Sequence, residues 1–162
     1  MILVEGESDR VALETLAERL GLPRPDVAVL GGAHAVRSAV ALTGRDVIAL
    51  CDEGEASLFA AAGIPPERVF VCRADLEDEL IRALGVARVE EVFEAQHDLG
   101  LLRILQQQPA QRGRTVEQHL HRFISSHSGA KIRYARALVD ALDLDRVPAP
   151  LEAALRREWR DR

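Results

Sequence analysis

The sequence predicts an α/β fold: a four-stranded, mainly parallel sheet flanked by helices, with a C-terminal helical extension. Three observations predict it. Short apolar runs alternate with amphipathic stretches from residue 2 to about residue 85, the rhythm of β-α-β units. Beyond Gly85 the apolar spacing is helical throughout. Three of the apolar runs lead into a tight acidic cluster, at residues 5–9, 52–55 and 75–79. Apolar runs of this kind suit strands buried on both faces. In an open α/β sheet, ligands bind outside the carboxyl ends of the strands. Three loops far apart in sequence are therefore placed to deliver carboxylates to one edge.

The elements follow in order. Residues 2–4 form the first strand. Ser8 reads as the N-cap of a helix to about residue 20, with Val11, Leu13, Leu16, Ala17 and Leu20 as its apolar stripe. Gly21-Leu22-Pro23 stops that helix. Residues 27–30 form the second strand. Gly31-Gly32 reads as a tight strand-to-helix turn, with phosphate contact as the weaker alternative, before a short helix over 33–42. Residues 46–51 form the third strand, and a helix over 56–62 ends at Gly63-Ile64-Pro65-Pro66. Residues 68–72 form the fourth strand. Asp75 then opens a helix to about residue 84, with Asp78 placed as in a capping box. Helices are predicted at 89–95, 99–107, 116–125, 130–142 and from 151. Residues 106–109 and 111–114 read as a polar, mobile connector, and Val147-Pro148-Ala149-Pro150 as a stiff spacer. The division expected is an α/β core over 1–86 and a helical extension over 87–162.

Composition narrows the function. With 48% hydrophobic and 29% charged residues the chain is an ordinary globular domain, long enough to bury a real core. Aromatics make up only 4%, so base stacking would not dominate nucleic-acid binding. No stretch has the length of a membrane span, and there is no signal-peptide pattern. Cys51 and Cys72 read as buried, reduced thiols, and a cytoplasmic location is expected. No Cys/His spacing resembles a zinc site, and no G-x-x-x-x-G-K-[ST] loop is present to cradle a nucleoside triphosphate. His119 and His121 are two apart and do not share a helix face, while His34, His97 and His127 stand alone.

Charge is segregated. The net charge is −5, but residues 1–98 carry 9 arginines against 19 acids, and residues 99–162 carry 12 basic residues against 7 acids. The three acidic clusters hold 10 of the 26 acids in 14 residues, where an even spread would place about 2. Acids also favour helix N-termini, which accounts for some of this without a ligand. Carboxylates gathered at one place repel one another unless a cation joins them, and hard oxygen donors suit Mg²⁺ or Mn²⁺. From Leu99 to Val139 the only acid is Glu117, against Arg103, Arg112, Arg114, Arg122, Lys131, Arg133 and Arg136. A basic arm beside an acidic half suits a phosphodiester substrate. A helical lid neutralising the acidic half would produce the same segregation. Lys131 is the only lysine beside 20 arginines. Its compact ammonium can approach a phosphoryl oxygen and change protonation state, which a guanidinium does not readily do.

Leu3-Val4-Glu5-Gly6-Glu7-Ser8-Asp9 resembles the opening motif of TOPRIM (topoisomerase–primase) domains. Extended through Arg10 and Ala12-Leu13, it is similar to TOPRIM domains of the OLD (overcoming lysogenization defect) nuclease family. The resemblance implies a Rossmann-like TOPRIM fold and a Mg²⁺- or Mn²⁺-dependent endonuclease that hydrolyses DNA. It implies that Glu5 is a metal ligand or general acid–base group. It further implies that Asp9, Asp52 and Glu77 are metal ligands, and that Lys131, in Gly129-Ala130-Lys131-Ile132-Arg133, contributes to catalysis. The second aspartate of the family's Asp-x-Asp motif falls on Gly54, so Glu55 or Glu53 reaches in, or water fills that position, or one metal site is weak. Arg112, Arg114, Arg122, Arg133 and Arg136 are the candidate nucleic-acid contacts. OLD nucleases couple this module to an ATPase. The sequence carries no such motif, so the chain is expected to act on DNA alone, as an oligomer of itself, or with a separate ATPase. The alternatives are a catalytically weakened module that binds nucleic acid or an ATPase, and nucleotidyl-transfer chemistry of the primase type.

Overall fold

The structure is a computed structural model that describes residues 1–43, 46–126 and 129–162. His127, one of the isolated histidines, lies outside the described residues. Strands β1 (Ile2–Val4), β2 (Val27–Val29), β3 (Ile48–Asp52) and β4 (Val69–Cys72) form one sheet in the order β2-β1-β3-β4. Every pairing is parallel: Ile2 stands opposite Val27 and Ile48, and Asp52 opposite Cys72. The chain leaves β1 for β2 on one side and β3 for β4 on the other. The strand order therefore reverses between β1 and β3, the position where open α/β sheets hold their ligands.

Adjacent residues of a strand point to opposite faces. Ile2, Val4, Ile48 and Leu50 accordingly enter one core, and Leu3, Ala49 and Cys51 another. Because both faces are covered, these strands read as unbroken apolar runs. Cys51 and Cys72 sit on neighbouring strands but in different cores, both free and buried.

Helices α1 (Glu7–Arg19), α2 (Val36–Thr43) and α3 (Ala56–Ala61) connect the strands. They are followed by α4 (Leu76–Leu84), α5 (Val86–Ala95), α6 (Leu99–Gln107), α7 (Val116–Ser125), α8 (Ala130–Ala141) and α9 (Ala149–Arg160). Val36 of α2 and Phe59 of α3 close the smaller core. The larger core is continuous from Ile2 through Leu80, Phe93 and Tyr134 to Leu155, so the helices after α4 pack into the same interior as the sheet. α8 lies along α1, α7 packs on α4, and α9 returns to β3 and β4. Arg19 Nη1 donates to the carbonyls of Val139 (2.6 Å) and Leu142 (2.8 Å), tying the C-terminal end of α8 to α1. The rings of Phe93 and Tyr134 pack at 4.6 Å and those of Phe93 and Phe123 at 5.1 Å. The Tyr134 hydroxyl donates to Asp98 at 2.6 Å.

Some local expectations are corrected. Ser8 is not the N-cap of α1: the helix starts at Glu7, with Gly6 as cap, and the Gly6 N–H donates to Asp9 Oδ2 at 2.9 Å. A carboxylate one turn in can reach back to that amide, as in a capping box. The helix expected over 33–42 is split into a 3-10 turn, Ala33–Ala35, and α2. The polar connector before α7 is pinned: Gln111 is buried, and its carbonyl accepts from His119 Nε2 at 3.1 Å. Asp75 does cap α4, accepting from the Asp78 N–H at 2.8 Å. Among the described residues, no helix is long and apolar enough to cross a membrane.

Candidate metal and phosphate site

The reversal of strand order sets the site. Glu5 follows β1, and Asp9 stands on the first turn of α1. Asp52 ends β3, and Glu55 closes the 3-10 turn after it. Glu77 lies on the first turn of α4 and Lys131 on the first turn of α8. All six line one hollow of about 470 Å³ with Gly6, Ser8, Gly31, Gly32 and Leu76. Gly31 and Gly32 have φ of 69° and 129°, a region open to glycine, and the Gly31 N–H donates to the Glu5 carbonyl at 3.0 Å. This is the tight turn expected there, and it also leaves the β2 side of the hollow without side chains.

The turn containing Gly54 directs its two glutamates differently. Glu53 turns toward β4: its N–H donates to the Ala74 carbonyl, and its Oε2 accepts from the Ala74 N–H, both at 3.2 Å. Glu55 is the one that enters the hollow. Its carboxyl is pushed up to about 7, first by a hydrogen bond with Glu5, then by burial and the charges around it, and its Oε2 is buried with no partner among the described residues.

The neighbouring carboxyls are raised as well. Burial pushes Asp9 up to about 6, against the hydrogen bond from Gly6 and with Glu77 and Glu5 adding to the rise. Burial pushes Asp52 up to about 7, helped by Asp9, Asp75, Glu77 and Glu5. The same field adds to burial in carrying the Cys51 thiol up to about 12. Lys131 Nζ lies 3.3 Å from both carboxylate oxygens of Glu77. Partial burial pulls its pKa down, but Glu77, Asp75 and Asp52 carry it above the ordinary value. Three titratable groups displaced in one direction by burial and like charge mark a site that favours positive charge.

Sequence reasoning passed over two members of this neighbourhood. Asp75 Oδ2 and His121 Nε2 are 2.5 Å apart, and ligand atoms of Asp75, Glu77 and His121 lie within 4.8 Å of one another. Asp75 was legible as a helix cap following a strand. His121 was not, because its partner lies 46 positions away and only the packing of α7 on α4 joins them. His119 faces the interior instead.

The arginines divide into two groups. Arg114 and Arg122 line a hollow of about 760 Å³ with Ala74, Asp75, Asp78, Gln118, His121 and Ser125. Their side chains, like that of exposed Arg112, form no ion pair among the described residues. Arg133 and Arg136 line a different hollow, beside Val92 and Ala137. Arg133 is held by Asp98 at 2.5 Å and lies over the Tyr134 ring, and Arg136 is 3.8 Å from Glu18 and 3.6 Å from Asp140.

No protein-family model matches the chain, and no curated protein sequence matches it. Solved structures do. The C-terminal region of the Burkholderia pseudomallei OLD protein superposes with a TM-score of 0.68 at 19% identity, covering 99% of this chain and 96% of that one. The fold is that of an OLD C-terminal region. Two structures of the corresponding region of the Xanthomonas campestris pv. campestris OLD protein agree. The one phased with mercury has a TM-score of 0.64 at 22% identity, covering 99% of this chain and 93% of that one. The one phased with platinum has a TM-score of 0.65 at 23% identity, covering 99% and 91%. The OLD-type likeness read from residues 3–13 therefore holds at the level of fold, across nearly the whole chain.

Proposed function

We propose that this chain is a metal-dependent endonuclease that hydrolyses phosphodiester bonds of DNA in the carboxylate hollow. The observation that carries this reading is the meeting of Glu5, Asp9, Asp52, Glu55 and Glu77 with the only lysine of the chain in one hollow at the strand-order reversal. The donor set fits Mg²⁺ or Mn²⁺: these side chains offer hard oxygen ligands, three of their carboxyls are raised by burial and crowding, and Glu55 Oε2 is buried without a partner among the described residues. When bound, one or two such ions would polarise a phosphoryl oxygen and supply a water acidic enough to attack at neutral pH.

Each side chain then has a role. Glu5, Asp9, Asp52 and Glu77 hold the cation, and Glu55 supplies the carboxylate that Gly54 does not. Glu55, whose carboxyl is raised to about 7 beside Glu5, can hold a proton at a carboxylate oxygen. Lys131, half-exposed at the rim, exchanges Glu77 for a phosphoryl oxygen and offsets the charge developing there. The basic side chains Arg112, Arg114 and Arg122 contact phosphates beyond the scissile one. Arg133 and Arg136 join them if substrate displaces their present partners.

Incubation with supercoiled plasmid in Mg²⁺, Mn²⁺ and EDTA tests this. Nicking in either metal, absent in EDTA and lost in Asp52→Asn and Glu5→Gln proteins that remain folded, is expected. Full activity in either variant, or no cleavage by folded parent with any metal, would overturn the assignment.

A further inference from the structure

The carboxylate hollow and the hollow beside α7 share a wall. Asp75 lines the second, Leu76 and Glu77 line the first, and His121 lies against Asp75 at that boundary. Their charge states differ. Two of the three acids of the α7 hollow are already engaged, Asp75 by His121 and Asp78 by Arg82, and the third, Glu117, is exposed in the first turn of α7. Among the described residues, Arg114 and Arg122 form no ion pair, and the buried Ser125 Oγ has no hydrogen-bond partner. Among the described residues the hollow is therefore left with two unpaired guanidiniums, next to a pocket that favours cations. Guanidinium forks match the oxygens of a phosphate diester.

We propose that the α7 hollow is a second phosphate subsite, seating a phosphate of the same strand beyond the one in the carboxylate hollow. Arg114 and Arg122 would be the specificity-determining contacts. This rests on the nuclease reading for the first hollow and adds that the substrate is a strand spanning both. The imidazole of His121 covers the Asp75 carboxylate, so the wall the strand crosses does not present a bare anion. A minimal diester has no second phosphate. It would therefore gain nothing from the α7 hollow, whereas an oligonucleotide would.

The binding experiment needs no catalysis. A fluorescent single-stranded DNA 12-mer is titrated in EDTA with the parent and with an Arg114→Ser/Arg122→Ser double variant. An Arg146→Ser/Arg160→Ser double variant removes the same charge from elsewhere in the chain. The α7 variant is expected to bind roughly tenfold more weakly, with a log–log salt slope shallower by about 1.4, since each phosphate contact on single strands contributes about 0.7. The control is expected to stay close to the parent. Equal losses in both variants, or none in the α7 variant, overturn the subsite whether or not the protein cuts DNA.

Where cleavage is seen, a second comparison applies. Oligonucleotide cleavage by the α7 variant should fall through a raised KM, with kcat changed far less. A fall in kcat with KM unchanged would show that the substitutions disturb the carboxylate hollow and would overturn the subsite. Absence of cleavage with binding lost only in the α7 variant would remove the nuclease reading and leave the phosphate subsite standing.

Discussion

The two halves of the chain contribute to the site in different ways. The first half, through α4, supplies all five carboxylates from positions at or just beyond strand ends. The second half supplies Lys131, His121 and Arg122 from helices, and Arg114 from the segment leading into α7, all of which reach the same edge only by packing on the first. Sheet topology alone brings the anions together, because parallel strands end on one edge. The cations depend on two helix contacts, α8 against α1 and α7 against α4. Substitutions in the first half should therefore alter the chemistry with little effect on the fold, and substitutions in the second half's seams should move cations away from intact carboxylates.

The largest effect is expected from Asp52→Asn. Plasmid cleavage should fall by at least about 10³-fold, and the melting temperature in EDTA should hold or rise, because the variant removes a carboxylate that pays for its burial. A matching loss of stability would show that Asp52 supports the fold instead. Lys131→Met comes next, at about 10²–10³-fold in cleavage rate with Mn²⁺ binding retained by calorimetry. Near-parental cleavage would leave Lys131 as no more than a partner of Glu77. Leu138→Ala, fully buried in the larger core beside α1, should cost about 2–5 kcal/mol in urea unfolding. In this variant cleavage should fall while Mn²⁺ affinity changes little, since the carboxylates do not depend on α8; parallel losses would contradict the division between the halves.

The smallest effect concerns pH. Asp52 is raised from 3.8 to about 7 in the metal-free fold, so the native state holds its proton more tightly than the unfolded chain does. Relative to Asp52→Asn, the parent in EDTA should lose stability as pH rises from about 4 to about 7 and change little above that. Saturating Mn²⁺ at pH 7.5 should restore the difference, because a cation bound only by the native state shifts unfolding by mass action. Thermal melts across pH with and without metal measure both. A pH-independent difference would mean that the Asp52 carboxyl is not held above its ordinary range.

Much of this was already readable in the chain. Apolar runs followed by acids marked β1, β3 and β4 and placed Glu5, Asp52 and Glu77 at their ends, because strand burial and loop polarity are local properties. The motif over residues 3–13 pointed to the fold that the solved OLD C-terminal regions share. The Gly31-Gly32 turn and the Asp75 cap were legible because backbone conformation and capping depend on a few adjacent residues. Ser8 misled because serine is a favoured cap, whereas the chain turns into the helix earlier, with Gly6 as cap and Asp9 reaching back to the Gly6 amide.

The sequence by itself determined the order of strands and helices, the positions of the acids relative to strand ends, and the segregation of charge, all of which depend on residue type and local spacing. Only the tertiary structure decided that Glu55 rather than Glu53 enters the hollow, that His121 meets Asp75, and which arginines are paired. Those outcomes depend on how helices pack and how side chains satisfy one another across tens of residues. No local pattern encodes that, because the same arginine on the same helix face can be neutralised or left unpaired according to what packs beside it.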